Sequence, residues 1–148
     1  MSVRLLALLT AALSGFTMAL QGTLNAALGK VIGILEATFV VHLVGLIFVS
    51  ALLFVFKLGD GNISLIGRVP YYIYLGGILG VVIVYTVARS IPKVGVAPAT
   101  TAIILAQVLT AGIIDHLGLL GMERLQFTWC RIGGTLLMAS GAWLILKR

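Results

Sequence analysis

The sequence predicts an all-α membrane protein of five transmembrane helices, a single domain spanning residues 1–148, on the strength of three observations. Residues are 61% hydrophobic and only 9% charged, whereas a soluble domain carries about 25% charged residues because its surface must be wetted. The apolar residues fall into five blocks, each near the roughly 20 residues that a helix needs to cross about 30 Å of hydrocarbon. Most cations stand between the blocks, and Pro70, Pro98, the Tyr71–Tyr74 cluster and both Trp fall at or near their ends.

The first block covers about residues 5–27 and is closed by Gly29 and Lys30. An arginine ahead of it, Arg4, also fits a secretory leader, but the run is long for one and an uncleaved first helix is expected. The second covers about 34–56 and stops at Lys57, Gly59, Asp60, Gly61 and Asn62. The third, about 71–88, follows Pro70 and opens on Tyr71, Tyr72 and Tyr74. The fourth, about 98–115, begins at Pro98 and ends at Asp115, His116 and Gly118. The fifth, about 127–146, holds Trp129 near one end and Trp143 near the other. Proline is tolerated at a helix start, where its missing N–H would have no partner, and Tyr and Trp favour the membrane–water interface.

Glycine spacing predicts where helices meet, because close backbone approach supplies packing energy in lipid. Ala11, Gly15, Ala19, Thr23 and Ala27 recur every four residues in the first helix, and Gly76 and Gly80 form a GxxxG in the third. Gly134 and Gly141 stand seven apart in the fifth.

A net charge of +6 does not point to nucleic acid, since the ten basic residues form no cluster or run and mostly stand singly between apolar blocks. Five spans put the termini on opposite sides of the membrane. The N-terminal side then holds Arg4, Lys57, Arg68, Arg124 and Arg131; the other holds Lys30, Arg89, Lys93, Lys147 and Arg148. Orientation follows the excess of Lys and Arg on the cytoplasmic side, and here neither side has an excess. The expectation is dual topology, with two copies inserted in opposite directions and paired as an antiparallel homodimer. Such a dimer is an inverted repeat, the architecture used for alternating access.

Polar groups inside spans cost free energy and mark sites or buried partners. Gln21 and Asn25 lie four apart in the first helix, Tyr85 late in the third and Gln107 midway along the fourth; these are the candidate substrate contacts. Glu36 and His42 are the candidate proton-coupling groups. Glu36 also fits a cap at the positive end of the second helix, and His42 fits a neutral packing residue. Six residues separate the two, a rotation of about 240°, so they do not share a face. Histidine is the side chain that ordinarily changes charge between about pH 5 and 8. Gly15, Gly76, Gly80, Asp115 and His116 are read as structural or interface positions.

The single cysteine, Cys130, makes no internal disulfide, and no Cys/His metal spacing occurs. No Ser/His/Asp grouping, phosphate loop or zinc signature is present. Neither enzymatic activity nor a cofactor is expected.

The run Leu20–Gln21–Gly22–Thr23–Leu24–Asn25, followed by Leu28–Gly29, resembles the first helix of the YdcZ-like family of small bacterial membrane proteins. The stretch from Gly95 to Gly118, GVAPATTAIILAQVLTAGIIDHLG, resembles that family's fourth helix, with an amide at Gln107 and an Asp-His-x-Gly ending; Gly141–Ala142–Trp143 also matches. The resemblance implies membership of the drug/metabolite transporter superfamily, a multi-pass protein of the bacterial inner membrane, and export of a small molecule. It also implies antiparallel pairing. The superfamily's small multidrug exporters carry a key Glu in their first helix; this chain has none there, so quaternary-ammonium export does not carry over. The expected function is a secondary transporter, an exporter or antiporter whose partners are a second copy, the bilayer and a small-molecule substrate. A passive dual-topology channel and a non-transporting scaffold subunit are the alternatives.

Overall fold

A computed structural model describes residues 2–126 and 128–147. Phe127, the expected start of the fifth span, and Arg148, one of the ten cations, lie outside the described residues. Five helices are long and apolar enough to cross a membrane, and no strand occurs among the described residues. They are α1 (Val3–Ile32), α2 (Ile34–Ser50), α3 (Leu75–Val94), α4 (Val96–Leu117) and α5 (Trp129–Leu146). One π-helical stretch, Ala51–Val55, prolongs α2, and two 3-10 segments, Ile63–Arg68 and Tyr71–Tyr74, precede α3.

Two helices run further than their apolar composition predicts. Gly29 and Lys30 do not end α1, which continues to Ile32, and α3 passes through Pro92 to Val94. Within a membrane every backbone N–H and C=O must find a partner inside the helix, so a helix stops where a residue leaves helical geometry rather than where polarity rises. Gly33 is that residue for α1, with φ 99° and ψ 148°. Gly95 repeats the conformation between α3 and α4, with φ 94° and ψ 164°. Only glycine populates this region freely.

The resemblance between the two joints extends along the chain. Gly33–Ile34–Leu35–Glu36–Ala37–Thr38 and Gly95–Val96–Ala97–Pro98–Ala99–Thr100 share Gly-x-x-x-Ala-Thr, 62 residues apart. At the same separation lie three pairs of buried residues: Ala26 and Ala88, Gly29 and Ile91, Ala37 and Ala99. The chain around the two joints therefore repeats one local pattern, a small buried residue on each side of a one-glycine break. Neither joint has a side-chain cap.

Contacts cluster into two compact units, Met1–Lys93 and Val94–Arg148. In the first, the packed face of α1 is Gly22, Asn25, Ala26 and Gly29. Within the chain the expected stripe of Ala11, Gly15, Ala19, Thr23 and Ala27 is therefore not the packed face. A strict four-residue repeat rotates about 40° per step around a helix, so Thr23 and Ala27 turn away while the alternating spacing of three and four stays on one face. Gly22 lies close enough to α3 that a Cβ there would be 2.9 Å from Val87 Cγ1. Among the described residues no large side chain is fully buried, so most apolar surface is left for lipid or another chain.

In the second unit α4 packs on α5. Gly118, left-handed at φ 63°, caps α4 through its N–H to the Ile114 carbonyl. The carbonyls of Asp115 and His116, which have no partner within the helix, accept from Leu125 N–H at 2.8 Å and Arg124 Nε at 3.0 Å. This is the structural content of the Asp-His-x-Gly ending: glycine for the left-handed turn, and a returning chain that satisfies the last carbonyls.

Candidate functional site

The polar groups inside the spans occupy distinct environments. Asn25 is 5% exposed, yet no hydrogen bond holds its amide among the described residues. Because no fully buried side-chain nitrogen or oxygen there lacks a partner, that residual exposure belongs to the amide. Asn25 thus keeps an uncommitted donor and acceptor on the packed face of α1. Gln21, one turn earlier, is exposed, as is Gln107 on α4. Tyr85 is half-buried and engaged: its hydroxyl accepts from Arg89 Nη1 at 2.9 Å, and the guanidinium carbon lies 5.9 Å from its ring centre. Gln21, Asn25 and Tyr85 belong to the first unit and Gln107 to the second.

His42 is half-buried on α2, with Nδ1 2.7 Å from the Thr38 carbonyl. A carbonyl only accepts, so Nδ1 is the donor, and Nε2 makes no hydrogen bond among the described residues. Nε2 faces α3 at Gly80, where a Cβ would stand at an ordinary contact distance of 3.8 Å. Gly80 is thus the α3 residue beside the His42 ring. The Thr38 hydroxyl is occupied in turn, donating to the Ile34 carbonyl at 2.8 Å.

Glu36 is exposed and stands third in α2. Its carboxylate folds back over Gly33, into the space that a Cβ there would take. The Gly33 N–H is already used by the Gly29 carbonyl, so the interaction is with the positive helix end rather than a capping hydrogen bond. At Gly15 and Gly76 a Cβ would meet nothing within 4 Å; they bear no packing role within the chain.

A further feature was not legible in the sequence. A cleft of about 300 Å³ lies between α4 and α5, with Asp115 and Arg131 among its lining residues. The signal lay in two i, i+3, i+4, i+7 sets, Val108–Ala111–Gly112–Asp115 and Arg131–Gly134–Thr135–Met138, which become opposite only once the two helices are known to pack.

The profile of the family described as "Putative inner membrane exporter, YdcZ" matches residues 6–144. The chain belongs to that family. The match runs from the first turn of α1 almost to the end of α5, so it includes every candidate residue above. Membership of the YdcZ family makes the chain a member of a membrane exporter family, not of an enzyme family. No curated protein and no solved structure matches the chain.

Proposed function

We propose that the chain is a proton-coupled secondary transporter that exports a small molecule from bacterial cells by alternating access, as an antiparallel homodimer. Family membership supports export, and the observation that carries the coupling is His42. Its ring is held by one nitrogen while the other stays free inside a helix long enough to span the membrane, the arrangement of a group that takes up and releases a proton. Asn25 supplies an uncommitted amide in the same unit, and Gln21, Tyr85 and Gln107 complete the set of substrate contacts. Glu36, at the end of α2 nearest the aqueous phase, passes protons to or from the bulk.

The test uses protein reconstituted in liposomes with a pH-sensitive dye trapped inside, screened against a panel of candidate compounds. A compound that moves protons through the native protein should move none through Glu36→Gln/His42→Gln, while crosslinked dimer is recovered in equal amount. Retention of the native pH dependence in that variant would remove the coupling role of both residues.

A further inference from the structure

The cleft between α4 and α5 holds two opposite charges that their own helices disfavour. Asp115 is the third residue from the C-terminus of α4, and Arg131 the third from the N-terminus of α5. A helix end is negative at its C-terminus and positive at its N-terminus, so each charge opposes its own helix. Among the described residues no ion pair within 4.0 Å joins them, although both line one cavity of about 300 Å³. Unpaired charges near the hydrocarbon are expensive, and two of opposite sign across one space are best relieved together. The rest of the lining is mostly apolar: Gly112 adds no side chain to fill it, and Val108 and Met138 lie two turns along their helices from the charges.

The geometry points to a binding site for a zwitterion, a molecule whose ammonium group meets Asp115 and whose anionic oxygens meet Arg131, with an apolar body against Val108 and Met138. Arginine offers a planar fork suited to carboxylate or phosphate, and the Thr135 side chain adds a polar group to the same wall. The hydroxyl already donates to the Arg131 carbonyl at 2.8 Å, which leaves its oxygen lone pairs for an ammonium hydrogen. A molecule bearing one charge would leave the other residue uncompensated, so both charges are required. Free amino compounds and aminophospholipid headgroups share this chemistry. The site lies within the second unit and is independent of the transport reading, because it is defined by binding rather than flux.

Thermal unfolding of the purified protein in a nonionic detergent tests it with leucine, isoamylamine and 4-methylpentanoate, which keep the apolar body and carry both charges, the ammonium alone or the carboxylate alone. Short-chain phosphatidylethanolamine and phosphatidylcholine form the lipid arm; the choline group has no N–H to donate to Asp115. Leucine should raise the midpoint where the two singly charged analogues do not, or phosphatidylethanolamine should do so where phosphatidylcholine does not; the arm that responds names the source. Asp115→Asn and Arg131→Gln should each weaken the response at least about tenfold, as for loss of a charged hydrogen bond. Equal responses to leucine and its singly charged analogues, or no response to leucine and phosphatidylethanolamine alike, would overturn the proposal without recourse to the variants.

Discussion

Gly22 and Gly15 lie on the same helix and behave differently. At Gly22 an added methyl would sit 2.9 Å from Val87 Cγ1 and 3.1 Å from Ile91 Cδ1. Val87 is β-branched and stiff, so relief must come from moving α3. Gly22→Ala should therefore lower stability by about 1–3 kcal/mol, the usual range for overpacking. Gly15 has open space, and alanine is the better helix former by about 1 kcal/mol. Gly15→Ala should leave the unfolding midpoint of the detergent-solubilised monomer unchanged or raised, so paired melts of the two variants check both statements. If Gly15→Ala instead weakens self-association, the open face belongs to the contact between copies. Which glycines pack was not legible in spacing alone, because the four-residue rhythm that drew attention to Gly15 drifts around the helix. That polar residues mark the interior was legible for Asn25 and His42. The free nitrogen of His42 was not, since Gly80, the residue beside it, lies in another helix.

The decisive feature among the helices themselves is the one-glycine joint, present twice. Hydropathy located all five spans, because a 20-residue apolar run has few readings. It placed the ends of α1 and α3 too early, because a cation beside a glycine or proline resembles a stop, whereas the true break is a backbone conformation. Gly33 and Gly95 both adopt φ and ψ values that side chains avoid, at a cost of about 1–3 kcal/mol for a residue with a Cβ. The joints differ in surroundings: at Gly95 a Cβ meets only Pro98 Cδ, at an ordinary 3.6 Å, whereas at Gly33 it meets the Glu36 carboxylate. Gly95→Ala should thus lose only the conformational term, and Gly33→Ala should lose that and displace Glu36 as well. Unfolding of Gly33→Ala and Gly33→Ala/Glu36→Gln should show a smaller penalty in the double variant, where no charge is pushed from the helix end. The shared Gly-x-x-x-Ala-Thr was present in the sequence throughout, but six positions with three identities draw no notice until burial aligns them.

For the molecule as a whole, the even division of positive charge is the property that bears on assembly. With five basic residues expected on each side, the insertion machinery is expected to have no preference, and the antiparallel dimer follows from that expectation. Reporter fusions at the C-terminus check it: one active only in the cytoplasm and one only outside should both give signal from the same chain. Adding two lysines in the segment 58–62 should tip the balance and extinguish one of the two. Signal from a single reporter in the native chain would exclude oppositely inserted copies. The sparse packing within the chain is consistent with this expectation, since much of the apolar surface is left for lipid or a neighbour.

The hydrogen bond from His42 Nδ1 to the Thr38 carbonyl also bears on how the proposed proton coupling would run. A wire that relays protons through an imidazole accepts on one nitrogen and gives from the other, then resets by turning the ring. Here one nitrogen is committed to the backbone of its own helix, so a proton that arrives at Nε2 must leave from Nε2. Passage across the membrane then requires the surroundings of that single atom to change from one aqueous face to the other. Under the proposed coupling, a stationary protein would offer protons no leak through this residue, and each proton moved would be tied to a change of conformation.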